Sequence, residues 1–315
     1  MLGPLDAVFW YLFSSFLVYR TYKFLANLIR PLIYWYVYPK LGWTLDLSKY
    51  ADKWVVVTGG TDGIGHAYVE ELARRGLNKF MLLGRNPRKL EYTTKDIKKA
   101  NRAATIETHV FDFVKDSWDK LPTEQLKSYD IGILVNCAGL AVDQLTPFHE
   151  HKPGLASDIL RVNAVAAVKL IELVLPGMVE RDEGVIVNVS SIQGWRPIPN
   201  LSTYPASKAC LSFFSEALYR EYKGTGVKIQ SLLPIMVATK MTFYDNKDAD
   251  GWLVVTPEQY AKDAVDVIGL HETSGCIVHD IQCAFLAFLP FWLARYAVKP
   301  IYSFQAKRLN ERKKK

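Results

Sequence analysis

Cysteine is scarce in this chain: Cys137, Cys210, Cys276 and Cys283 are the only four in 315 residues. They have neither the density of a disulfide-built domain nor the paired spacing of a zinc site. They read as reduced, packed thiols in a cytosol-facing protein. The six histidines, His66, His109, His149, His151, His271 and His279, form no ligand set with acids or cysteines in the sequence, and no metal is expected. Basic charge is lacking where a nucleic-acid-binding domain would need it. Residues 1–40 and 305–315 together carry a net +8 of the overall +7, which leaves about −1 for everything between them. No basic patch interleaved with aromatics occurs there, which excludes a nucleic-acid partner for the central domain. Internal repeats are also absent.

What remains is an alternation. Apolar stretches near 54–57, 80–83, 107–111, 132–135, 184–190, 228–233 and 275–278 are separated by segments of helical periodicity. Strand–helix alternation of this kind predicts an α/β fold: a Rossmann-like, doubly wound parallel sheet covered by helices on both faces, with chemistry at the carboxyl ends of the strands. A single catalytic domain over 49–283 accounts for it. Residues 1–48 and 284–315 are left as apolar, membrane-associated ends.

Two local patterns carry function. Trp54–Val57 runs into Thr58-Gly59-Gly60-Thr61-Asp62-Gly63-Ile64-Gly65 and then a helix through about Arg75. Such a turn lets backbone N–H groups at a positive helix end approach a pyrophosphate. Further on, the strand Gly184–Val189 ends in Ser190 and Ser191, and a helix from Ser202 to Tyr222 carries Tyr204 and Lys208. Tyr-x-x-x-Lys occurs four times (Tyr19/Lys23, Tyr36/Lys40, Tyr204/Lys208, Tyr219/Lys223), but only Tyr204 has a strand-end serine upstream. A phenol with an ordinary pKa of about 10 is a poor acid or base at neutral pH. An ammonium one turn away is expected to stabilise the phenolate and lower that value.

These motifs resemble those of the short-chain dehydrogenase/reductase family over roughly residues 50–285. Thr58, Gly59, Gly63 and Gly65 match its cofactor turn. Asn136-Cys137-Ala138-Gly139 resembles its Asn-Asn-Ala-Gly element, with Cys137 as the departure. Asp112 matches the acid near the adenine, and Asn163, Ser191, Tyr204 and Lys208 match the catalytic tetrad. Leu175-Pro176-Gly177, Leu233-Pro234 and Thr256-Pro257-Glu258 are similar to the branch holding very-long-chain 3-oxoacyl-CoA reductases (type 12 17β-hydroxysteroid dehydrogenases) and the hydroxysteroid dehydrogenase-like protein 1 group. The catalytic tyrosine can be lost in the latter group; this chain keeps Tyr204. Ile235 stands where most of the family has glycine.

The resemblance implies a set of roles. Thr61, Asp62, Ile64, Ala138, Gly139, Pro234, Val237 and Thr239 would join the cofactor site. Ser191 would hold a carbonyl oxygen, Tyr204 would donate a proton, Lys208 would bond the nicotinamide ribose and Asn163 would hold a water. Helices around 155–178 and 204–222 would pair two copies into a homodimer. The second strand ends at Gly84-Arg85 without the acid that selects NAD; Arg85, with Lys89 nearby, suits the 2′-phosphate of NADP(H).

The ends suit an amphiphilic partner. Ala7 to Tyr19 is apolar and aromatic, but at 13 residues it is short of the roughly 20 that span a bilayer. Basic residues follow it, so an uncleaved anchor, spanning or interfacial, would leave the enzyme on the cytosolic side of the endoplasmic reticulum membrane. Ala284–Ala294 is equally apolar, and Arg312–Lys315 resembles a retrieval tail, with a plain solvated tail as the other reading. The expected activity is NADPH-dependent reduction of a ketosteroid or a 3-oxoacyl-CoA at the membrane. A catalytically weak, cofactor-binding scaffold is the alternative.

Overall fold

The computed structural model describes residues 3–142 and 145–289, and beyond them residues 293, 296, 300, 303, 304, 307 and 308. Seven parallel strands form one sheet: β1 (Trp54–Thr58), β2 (Lys79–Gly84), β3 (Thr105–Val110), β4 (Ile131–Asn136), β5 (Gly184–Val189), β6 (Val227–Leu232) and β7 (Glu272–Thr273). Their order is β3-β2-β1-β4-β5-β6-β7. The order reverses between β1 and β4, which creates the crevice where sheets of this kind hold ligands.

The near-continuous valines of β1 follow from burial on both faces. Val55 and Val57 point to one side and pack with Tyr68, Leu72 and Tyr260. Val56 points to the other and packs with Leu134, Leu170 and Val174. The helices that supply these partners are α2 (Gly63–Arg74), α8 (Pro257–Asp266) and the long helix Leu155–Glu180. The last comprises α5 (Leu155–Leu160), a π-helical turn at Arg161–Val165, and α6 (Ala166–Glu180). Helices α3 (Pro87–Ala100), α4 (Thr123–Ser128) and α7 (Thr203–Glu221) complete the two layers.

The predicted seventh strand at 275–278 is corrected. The strand is two residues long and ends at Thr273, and Ile277–Phe288 is a helix, α9. Gly275 turns the chain at a φ of +87°. Asp280 then reaches back to the Ser274 N–H at 2.8 Å and the Ser274 hydroxyl at 2.6 Å. That polar tie fixes the helix start, and an apolar pattern does not announce it.

The amino-terminal apolar segment is one helix, α1 (Pro4–Leu32). Its far half docks on α9. Phe24 packs on Phe285 and Phe288 with centroids 5.4 and 5.1 Å apart, and in the turn that follows α1 the Trp35 indole donates to Asp280 at 3.0 Å. Its near half, including Phe9, Trp10, Tyr11, Phe13 and Phe16, is exposed. Among the described residues, the helix long and apolar enough to cross a membrane is Leu155–Glu180, and half of that window is buried in the fold. The tail Arg312–Lys315, with Pro290–Trp292 and Ala294 of the second apolar stretch, lies outside the described residues.

Candidate active site

The strand ends open onto a cavity of about 620 Å3. On one wall, the chain leaves β1 through Gly59 (φ +67°) and enters α2 at Gly63 (φ +53°). The closest approach is at Gly65, where a Cβ would fall 2.3 Å from the Gly59 carbonyl oxygen. Only glycine permits this tight turn, which aims the α2 N-terminus into the cavity as an anion site. Asp62 caps α2 by accepting from the Gly63 N–H at 3.0 Å.

Gly59, Thr61, Asp62, Gly63, Ile64, Gly65, Arg85, Lys89, Asp112, Ala138, Gly139, Ser191, Tyr204, Lys208, Pro234, Val237 and Thr239 all line the cavity. Thr58, Asn136 and Asn163 do not; they brace its walls. The Thr58 hydroxyl accepts from the Cys137 and Ala138 N–H groups at 3.2 and 3.1 Å, tying β1 to the end of β4. Asn136 donates to Asn188 at 2.8 Å, and Asn188 donates to Ser215 at 2.9 Å, forming a polar thread beneath the floor. Asn163 lies in the π-helical turn. Its amide accepts from the Leu140 N–H at 2.7 Å and donates to the Leu140 carbonyl and the Ser207 hydroxyl, both at 2.9 Å. Its side chain is therefore committed to the backbone after Gly139.

Ser191 follows the end of β5, and its hydroxyl accepts from the Gln193 N–H at 3.2 Å. Tyr204 lies in the first turn of α7 and lines the same wall of the cavity as Ser191. Lys208, one turn on, donates to the Val189 carbonyl at 2.7 Å, with its ammonium 5.8 Å from the Tyr204 ring centroid. The strand end and helix are locked together: the Ser190 hydroxyl donates to the Lys208 carbonyl at 2.7 Å and accepts from Ser212 at 2.7 Å.

Burial dominates the electrostatics. It pushes Tyr204 up to about 12, against the lowering effect of the Ser191 hydroxyl. It pulls Lys208 down to about 8. The expected depression of the phenol by the neighbouring ammonium is thus corrected for this form of the site, because lost hydration outweighs an attraction over that distance. Burial also raises the Cys137 thiol to about 11, with Lys208 opposing, which disfavours the thiolate at this position in the cavity wall.

At the mouth, Asp62 is bonded by Lys89 at 2.5 Å and by Lys240 at 2.7 Å. Burial works to raise the Asp62 carboxyl, but the two lysine hydrogen bonds prevail and hold it below its usual value. The Asp62 charge that would oppose a phosphate is therefore neutralised. Arg85 stands exposed beside it. Lys240, Met241, Thr242 and Phe243 also line the cavity; the family resemblance puts the variable substrate loop at 241–256, whereas nothing in the sequence assigns Lys240 a place at the site. Ile235, in the usual glycine position, is not among the residues with positive φ, so the substitution introduces no backbone strain.

The histidine reading needs one amendment. His66, Glu70 and Asp96 bring candidate ligating atoms within 4.8 Å of one another. Each is already engaged: Glu70 with Arg74 at 3.4 Å, Asp96 with Lys99 at 2.7 Å, and His66 with Asp96 at 3.4 Å.

Comparison with known proteins agrees with this geometry. The short chain dehydrogenase family profile matches residues 53–250. The chain belongs to the short-chain dehydrogenases. It is 43% identical over 258 residues to human "Inactive hydroxysteroid dehydrogenase-like protein 1", covering 81% of this chain and 78% of that protein. It is 36% identical over 300 residues to the rat "Very-long-chain 3-oxoacyl-CoA reductase", covering 92% and 91%. Among solved structures, it resembles a short-chain dehydrogenase from Sphingobium yanoikuyae in complex with NADPH, with a TM-score of 0.60 and 27% identity over 68% of this chain and 83% of that one. The short-chain dehydrogenase residues present fit NADP(H): a glycine cradle that a Cβ would fill, a helix N-terminus, and three cations, Arg85, Lys89 and Lys240, two of them paired with Asp62.

Proposed function

We propose that the protein is a membrane-associated, NADPH-dependent ketone reductase acting on an amphiphilic lipid, a 3-oxoacyl-CoA thioester or a ketosteroid. The observation that carries this reading is the convergence of Ser191, Tyr204 and Lys208 on one wall of the glycine-turn cavity, with Lys208 one helical turn after Tyr204. When bound, NADPH supplies a hydride. The chain supplies the rest. Ser191 holds the ketone oxygen, and Tyr204, kept protonated by burial, delivers the proton to that oxygen. Lys208 offers its ammonium to a ribose hydroxyl and to the charge left on the phenol. Arg85, Lys89 and Lys240 hold the 2′-phosphate, and Asp112 faces the adenine end. Asn163 sets the Leu140 backbone that shapes the wall beside Gly139.

The lipid class rests on relatives named for acyl-CoA or steroid chemistry and on the exposed aromatic half of α1. Tyrosine and tryptophan at that density suit the headgroup zone, and Arg20 and Lys23 follow them. We read α1 as an interfacial helix on the cytosolic face of the endoplasmic reticulum membrane. Phe213, 81% exposed on α7, and Val179, exposed near the end of α6, mark the face where a second copy would pair. The decisive test incubates purified protein with NADPH and a panel of 3-oxoacyl-CoAs and ketosteroids. Substrate-dependent NADPH oxidation supports the reading. Tight NADPH binding with no oxidation by any substrate would instead support the scaffold role, in line with the name of the human relative.

A further inference from the structure

Met241 and Phe243 wall the cavity beside Gly139, on the opening of a segment that runs to Val255. The root of this segment is closed by backbone: Ala238 N–H donates to the Val255 carbonyl at 2.9 Å, and Val255 N–H to the Met236 carbonyl at 3.1 Å. Its crown is closed by Asp250, whose carboxylate accepts from the N–H groups of Trp252, Leu253 and Val254. Between root and crown, Phe243 holds a φ of +63°, a left-handed backbone that a bulky residue keeps only when its surroundings enforce it. Residues from the far end of the chain pack on the residues that follow Phe243. The Phe304 ring stacks on Tyr244, with centroids 4.8 Å apart and planes 21° from parallel. Arg308 donates to Asp248 at 2.7 Å, lies 3.8 Å from Asp245, and covers the Phe304 ring at 5.1 Å.

We propose that Phe304 and Arg308 are positioning residues. They form a latch that holds residues 243–248, and with them Met241 and Phe243, over the substrate end of the cavity. The end of the chain thereby governs how a long amphiphilic ketone is seated. The contact chemistry suits a latch better than a permanent seam. Arg308, a quarter exposed, meets Asp245 and Asp248, so these ion pairs are weakened by salt and open at little cost, while the ring stack sets the geometry. Calling it a substrate device depends on the reductase reading above; the contacts hold either way.

The test uses the full-length protein and four variants: Arg308→Ala, Phe304→Ala, Arg308→Lys, and the charge swap Asp248→Arg with Arg308→Asp. Hydrogen exchange across 241–256 is the readout that needs no turnover. Arg308→Ala and Phe304→Ala are expected to speed exchange there about tenfold while strands β1 and β4 stay protected. For a long-chain 3-oxoacyl-CoA, KM is expected to rise about fivefold with kcat within about twofold and NADPH affinity unchanged. Arg308→Lys should restore part of the protection, and the charge swap most of it. Unchanged exchange in both alanine variants would overturn the latch, as would a charge swap as loose as Arg308→Ala. If the wild-type protein turns over no substrate, the reductase reading fails, and the exchange data still decide the latch.

Discussion

Lys240 and Asp62 lie 178 residues apart in sequence and meet at 2.7 Å across the cavity mouth. This pair joins the segment after β6 to the glycine turn. In the proposed reading it would set the charge that a 2′-phosphate meets. Arg85→Ala and Lys240→Ala should each raise the KM for NADPH by about tenfold, the loss of one charge-assisted bond, and leave that for NADH nearly unchanged. Asp62→Asn keeps an oxygen for the α2 cap and removes the competing charge, so NADPH should bind more tightly. Fluorescence titration with both cofactors decides this; equal losses for NADH and NADPH would rule out a phosphate role.

Tyr204→Phe removes the proton donor and keeps the ring. Turnover should fall by at least about 100-fold with little change in cofactor affinity. Ser191→Ala should lower kcat/KM comparably without altering NADPH binding. Single-turnover kinetics and dinucleotide titration separate the two effects, and a Tyr204→Phe enzyme retaining normal turnover would remove the phenol from the chemistry.

Lys208 gives a pH signature. Burial pulls it down to about 8 from 10.5, so between those values the unfolded chain holds the extra proton. Stability due to Lys208 therefore rises with pH through that window, and the penalty is complete below about 8. Lys208→Met should be the more stable protein near neutral pH, with the gap closing toward alkaline pH in denaturant melts. Tyr204 acts oppositely. Raised from 10.0 to about 12, its stabilising contribution is complete below the first value and lost as pH rises through the second. For reduction, kcat/KM should fall on the alkaline side near 8, reporting Lys208 in the free enzyme. A profile flat well beyond that point would contradict the assignment.

Phe213 is exposed on α7 and packs on nothing that would resist its removal. Phe213→Asp should leave the thermal midpoint within a few degrees while shifting the sedimentation coefficient from a dimer to a monomer. A monomeric parent protein would remove the pairing face.

Removing residues 1–19 deletes exposed apolar side chains and leaves Phe24, Arg30 and Trp35 docked on the catalytic domain. The truncated protein should melt as the parent does and lose co-sedimentation with phosphatidylcholine–phosphatidylserine vesicles. Unaltered vesicle binding would place the membrane contact elsewhere.

Much of this was legible in the sequence because the central strands β1, β2, β4 and β5 are short and apolar, and β1 and β5 run straight into a glycine turn and a pair of serines. Six of the seven strands lie within a few residues of where the pattern puts them, and the Ser191, Tyr204 and Lys208 side chains meet as the strand–loop–helix order requires. The last strand was misplaced because Cys276-Ile277-Val278 has strand-forming character, and only the distant fold reveals Asp280 closing back on Ser274. Two of the tetrad's assumptions also needed coordinates. Local spacing gives the distance from Lys208 to Tyr204, but not the lost hydration that decides their proton affinities. It likewise cannot show that the Asn163 amide is spent on Leu140, or that Lys240 returns from far along the chain to Asp62.

The π-helical turn at Arg161–Val165 adds one residue to an otherwise regular helix. An α-helix advances about 100° per residue, so the insertion rotates everything on one side of it relative to the other. Excising a single amino acid there would swing the preceding turns, and the backbone they steady, away from their present bearing. A one-codon deletion in this short stretch should therefore disturb the site more than a conservative substitution at the same position.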